Sequence, residues 1–188
     1  YAVRLKYAGQ TLTQPAEVRT HPDVAASPED LKSQFQLLSA LRNQIEATHD
    51  AVGRIREAKT QIQAIGERAE KLGKGTGLKE QGKALSDRLT EIEKKLVNPD
   101  LKSNQDVLNF PPALDHQIVG IAVAASSADS KPTAGAVAYS KEVGAKLEAV
   151  LAELDAVVAK DLAEFNAAVG KEEIPPVVVL PKKAGSGR

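Results

Sequence analysis

Residues 27–72 read SPEDLKSQFQLLSALRNQIEATHDAVGRIREAKTQIQAIGERAEKL, and this stretch decides the fold. Ser27 is a capping residue and Pro28 suits the first helical position. Glu29 and Asp30 put carboxylates where the helix dipole favours them. From there Leu31, Phe35, Leu38, Leu41, Ile45, Thr48, Val52, Ile55, Ala58, Ile62, Ile65, Ala69 and Leu72 recur at steps of three and four. The mean step is close to ~3.5, the period of a coiled-coil seam rather than of a wide globular face. Gly53 and Gly66 are its only weak points, so one unbroken helix over 28–72 is expected. At ~1.5 Å per residue it would be about 65–70 Å long, and such a rod must lie along other long helices.

The rest of the chain supplies them. Gly73-Lys74-Gly75-Thr76-Gly77 ends the first helix, and Leu78, Gly82, Leu85, Leu89, Ile92 and Leu96 form a second seam stopped by Asn98-Pro99. Residues 99–112 read as a long, mostly extended connection. Leu114, Ile118, Ile121 and Ala125 mark a third, shorter helix ending near Ser126-Ser127. Pro132 opens a fourth, whose seam runs Ser140, Val143, Leu147, Val150, Leu154, Val158, Leu162, Phe165 and Val169 to a glycine stop at Gly170. Ile174 to Pro181, with Val177, Val178 and Val179, reads as a short strand or extended strap, and 182–188 as a flexible tail. The simplest packing returns the fourth helix to the end where the chain starts, so that the strap docks there.

Ahead of the helices the period is two. Tyr1, Val3, Leu5 and Tyr7 alternate with Ala2, Arg4, Lys6 and Ala8 in a half-buried strand pattern. Gly9-Gln10 marks a turn, and Thr11 to Thr20 reads as a second strand. Two strands alone are marginal in water. The hairpin is therefore expected to be the last piece of a sheet lying upstream, with Tyr1, Val3, Leu5 and Tyr7 as its interdomain contact; the alternative is a hairpin packed on the helices. With Tyr1 first and no Met in the chain, a processed or partial polypeptide is expected. The expected organisation is a hairpin over 1–22, a helical bundle over 23–170, a strap over 171–181 and a tail over 182–188. The fold class is mainly α: a long antiparallel bundle of about four helices, two long and two short, with a β-hairpin and an extended strap.

Composition narrows the function. In 188 residues, 25 Lys and Arg balance 25 Asp and Glu, so nothing drives association with nucleic acid or an anionic membrane. No apolar run is long enough for a membrane span, and no signal-peptide pattern is present. Cys is absent, which removes disulfides, thiolate nucleophiles and Cys-ligated metals. With no Trp, three Tyr and three Phe, base- and sugar-stacking platforms lack material.

No catalytic constellation emerges. Glu46, His49 and Asp50 share a helical face, but a metal also needs ligands from a second helix, and His116 beside Asp115 is the only obvious supplier. They read as a solvated polar face. The Gly73–Gly77 segment lacks the strand and the spacing of a phosphate loop and reads as an interhelical turn. The pairs Asp155 with Asp161 and Glu91 with Glu93 read as solubilising charges, since a glycosidase pair needs a cleft lined for sugar. No cofactor and no metal are expected.

Patterns spread over nearly the whole chain, from Tyr1 to about Val177, resemble those of a known family. Tyr1-Ala2-Val3-Arg4-Leu5, Gly9 and Gln14-Pro15-Ala16-Glu17-Val18 resemble the last strands of a small β-sandwich. In bacterial secreted proteins that sandwich follows a sortilin-like, Asp-box β-propeller often labelled a glycosyl hydrolase. Asp30-Leu31, Gln34-Phe35, Leu38, Arg42, Arg54-Ile55-Arg56, Ile92-Glu93 and Leu96 continue the likeness. So do Gln105-Asp106, Leu108-Asn109-Phe110-Pro111, Pro132-Thr133, Asp161-Leu162, Phe165-Asn166 and Ile174-Pro175. His21-Pro22-Asp23 and Asp115-His116 depart from the pattern. The resemblance implies a non-catalytic C-terminal accessory or interaction module of an extracytoplasmic protein. Its partners would be the upstream β-sandwich and β-propeller, with self-association or a protein partner beside them, and any hydrolytic acids would sit in the propeller. Two other functions compete: a bundle assisting a glycoside hydrolase, and a stand-alone coiled-coil oligomerisation or adaptor protein.

Overall fold

The computed structural model describes residues 1–179 apart from Thr76, Lys102, Asn104, Gln105 and Pro175. The expected tail over 182–188 and the end of the strap at Pro181 lie outside the described residues. A two-stranded antiparallel hairpin, β1 (Ala2–Tyr7) and β2 (Gln10–Pro15), precedes α1 (Pro28–Leu72). Then come α2 (Leu78–Leu96), α3 (Leu114–Ser126), α4 (Ala134–Val157), a π-helical turn (Val158–Leu162) and α5 (Ala163–Lys171).

The helix ends follow from local chemistry. The Ser27 hydroxyl accepts the Asp30 N–H at 3.1 Å, and the Asp30 carboxylate accepts the Ser27 N–H at 3.2 Å, closing a capping box. Hydrogen bonds from the Ser27 hydroxyl and backbone hold the Asp30 carboxyl below the usual carboxylate range. At the far end Gly73 takes the left-handed region at φ 62°. The Lys74 N–H then reaches the Ala69 carbonyl and the Gly73 N–H that of Glu70, a Schellman closure. α4 starts after Thr133, whose hydroxyl accepts the Ala136 N–H, two residues beyond the Pro132 expected to open it.

Side-chain contacts order the helices into three columns. α2 runs antiparallel to α1, with Lys79 on Glu70 near the turn and Glu93 on Arg56 and Lys59 further down. α3 continues the same column below α2, because the Gln34 amide donates to the Ala125 and Ala128 carbonyls near the start of α1. α4 and α5 run back parallel to α1: Arg54 pairs with Asp155, Lys95 with Glu153 and Arg88 with Asp161. One continuous core joins the columns, including Leu41, Ile55, Ile92, Ile118, Leu154 and Val169.

Several expectations are corrected. The hairpin turn is Ala8-Gly9, not Gly9-Gln10, and the second strand stops at Pro15. In α1 a strict seven-residue line, Gln34, Leu41, Thr48, Ile55, Ile62 and Ala69, is buried from end to end. Phe35 falls one position off that line and is 71 % exposed; Arg42, His49 and Arg56, which follow it at the same spacing, are exposed too. Leu72, at the last turn, is also exposed. In α4 the π turn adds one residue to the helix. Val157 therefore takes the buried place expected of Val158, and Leu162, Phe165 and Val169 stay on the core face.

The strap is not at the hairpin end. Because α2 and α3 together retrace α1, α5 finishes beside the Gly73–Gly77 turn. There the Gly75 N–H donates to the Glu172 carboxylate at 3.1 Å and Lys74 Nζ donates to the Glu172 carbonyl.

Candidate interaction surface

Ala8 and Gly9 both have positive φ (47° and 78°), the requirement of a two-residue hairpin turn whose twist matches its strands. That turn sets the register Val3↔Gln14, Leu5↔Leu12 and Tyr7↔Gln10. Directly opposed residues share a face, so Leu12 joins Tyr1, Val3, Leu5 and Tyr7 on one side. Arg4, Lys6, Thr11 and Thr13 occupy the other. The apolar side is open: Tyr1 is 92 % exposed, Tyr7 79 %, and Val3, Leu5 and Leu12 about 60 %. Every residue from Tyr1 to Pro15 is exposed, which overturns the alternative of a hairpin packed on the helices. Leu12 is the member of this face that alternation in the first strand does not reveal; only the register supplies it.

The sequence-derived metal candidates are not brought together. Glu46 and His49 are exposed on α1, while the His116 Nδ1 lies 2.9 Å from its neighbour Asp115 on α3. Among the described residues no three His, Asp or Glu side chains are grouped to hold a metal ion. Three of the four carboxylates read as solubilising charges turn out to bridge helices. Asp155 meets Arg54, Asp161 meets Arg88, and Glu93 is buried with Arg56 Nε at 2.6 Å and Lys59 Nζ at 3.1 Å. Burial pushes the Glu93 carboxyl up, but the hydrogen bonds and charges of Arg56 and Lys59 outweigh it and hold it below its ordinary value. Glu91 alone stays a surface charge, on Lys94.

A groove of about 730 Å³ runs between α1 and α2 over Ile62, Gly66 and Gly82. Its volume is that of a ligand site, but its cations are taken by the chain's own carboxylates: Arg56 and Lys59 by Glu93, Lys79 by Glu70, and Lys83 by Asp87. The hairpin face, by contrast, is an open apolar surface. No protein family, curated protein or solved structure matches the chain.

Proposed function

We propose that this chain is a non-catalytic helical accessory module of an extracytoplasmic multidomain protein, docked through its hairpin onto a β-domain of that same protein. The observation that carries the reading is the open apolar face of Tyr1, Val3, Leu5, Tyr7 and Leu12 at one end of a rod whose own core is closed without it. A contiguous apolar face on an open two-stranded edge needs cover, and a further sheet matches both its pleat and its unpaired edge groups. The resemblance to the region following a sortilin-like β-propeller supports the same arrangement. Ion pairs of Arg54, Arg56, Lys59, Lys79, Arg88 and Lys95 tie the helices to one another, in keeping with a supporting part rather than a reaction centre. Intact-mass measurement on the protein from its native source tests this: a polypeptide much larger than this chain, with β-rich sequence ahead of Tyr1, is expected. A native protein of the chain's own mass would sink the reading and favour a stand-alone adaptor. Turnover of glycosides by the pure chain would move it to the catalytic class.

A further inference from the structure

Past α5 the chain reverses through residues 172–174, where Glu173 holds the left-handed backbone region at φ 58°. The strap then lies between α1 and α5. Asn166 on α5 binds both backbone groups of Val177: its Oδ1 accepts the N–H at 2.7 Å and its Nδ2 donates to the carbonyl at 2.8 Å. Gln61 on α1 does the same for Val178, accepting its N–H and donating to its carbonyl, both at 2.9 Å. Successive residues of an extended chain present their backbone pairs to opposite sides. The two amides therefore flank the strap as neighbouring strands would, reading backbone and not side-chain identity. Specificity comes from alternation over three residues: Val177 is buried, Val178 points outward and Val179 is half-buried on the core, while Ile174, buried at the reversal, anchors the start of the strap.

We infer that the groove between α1 and α5, with Gln61 and Asn166 as its clamps, is a receptor site for an extended segment with β-branched residues at alternate positions. The strap fills it in cis, and the strap of a second copy fills it in trans. The ligand chemistry is that of the strap already seated there. The left-handed residue at the reversal sets the hinge at which the strap leaves one body for another, giving a reciprocal exchange between two copies. The inference does not depend on the hairpin reading, because none of its residues lies in β1 or β2.

A fluorescein-labelled peptide of residues 171–181 stands in for the second copy's strap and is titrated into the full-length chain. In the wild type the tethered strap competes at ~mM effective concentration, so binding should be weak. Val177→Asp opens the strap without touching the groove and should bind the peptide with a Kd below about 100 µM, at least ~10-fold tighter than the wild type. Adding Asn166→Ala should weaken that binding ~10-fold or more while the helical circular-dichroism signal holds. No binding to a folded Val177→Asp chain, or binding indifferent to Asn166→Ala, overturns the inference. If Val177→Asp loses its helical signal, Val177→Gly takes its place without burying a charge. Unfolding of both would make the strap an obligate part of the core and would also overturn it.

Discussion

Glu93 shows how one side chain decides between two readings of a charged helix. On sequence it is one carboxylate among many; in the fold it is buried and shared by Arg56 and Lys59 across the α1–α2 contact. Burial raises its carboxyl and the two cations more than offset that, so the folded value lies below the ordinary one. A depressed carboxyl stabilises the fold at pH above the unfolded value of ~4.3, and that contribution disappears as pH falls through the lower folded value. Thermal melts should therefore be flat from neutral pH to about pH 5 and fall below it. Glu93→Gln keeps the shape and removes the charge. Because Arg56 remains partly in water, its cost at pH 7 should be about 1–3 kcal/mol, and its melting curve should converge on the wild type's in acid. Parallel curves at every pH would show that the charge contributes nothing. The surface pairs Lys83–Asp87 and Lys146–Glu142 hold their ammonium groups above the usual range through the carboxylate hydrogen bond, but in open solvent they add little.

At the scale of elements, the glycines of α1 and α2 divide by what surrounds them. A Cβ on Gly53 would meet nothing within 4 Å, so Gly53→Ala should stabilise α1 by about 0.5–1 kcal/mol through helix propensity alone. A Cβ on Gly82 would lie 2.9 Å from Ile62 Cγ2 and 3.4 Å from the Phe165 ring, so the same change there should separate α1 from α2 and cost about 1–3 kcal/mol. Urea melts of the two variants should shift in opposite directions; a gain for Gly82→Ala would mean that Gly82 is not a close-packing site, and a loss for Gly53→Ala would defeat the propensity argument. The π turn gives a second test. Deleting exposed Ala159 removes the added residue and leaves Leu162, Phe165 and Val169 on the core face of a regular helix. That deletion should be tolerated, whereas deleting Ala152 in α4 should swing every later residue by about 100° and abolish cooperative melting. The helices were legible because burial leaves a period, and the seams of α2 and α3 are buried residue for residue. What escaped was what apolar periodicity does not encode. Gln34 takes a core place because its amide binds the Ala125 and Ala128 carbonyls, so counting apolar residues picked its neighbour Phe35. Glu93 escaped for the same reason, although it directly follows the core residue Ile92 and lies three residues before Leu96. The hairpin face was legible in part, since alternation marks Tyr1 to Tyr7, while Leu12 needed a register set by Ala8-Gly9.

For the whole molecule the question is which parts fold together. The three columns share one core, and the strap contributes Ile174 and Val177 to it. The hairpin contributes nothing: no residue from Tyr1 to Pro15 is buried. The segment after it, with the exposed Arg19–Glu17 pair, leads to a helix start that Ser27 and Asp30 cap without help from β1 or β2. Buried apolar area stabilises by ~25 cal/mol per Å², and a face left in water gains none of it. Removing residues 1–22 should therefore leave the helical signal unchanged and move the melting temperature by no more than about 2 °C, the effect of at most ~1 kcal/mol in a domain of this size. The same truncation should lower binding of a hydrophobic dye to the native chain, because it removes Tyr1, Val3, Leu5, Tyr7 and Leu12 together. A fall of 10 °C or more would place the hairpin within the cooperative unit and defeat the docking reading. An unchanged melt with unchanged dye binding would leave the bundle independent but locate the exposed apolar surface elsewhere, with Phe35, Val123 and Leu108 the next residues to change.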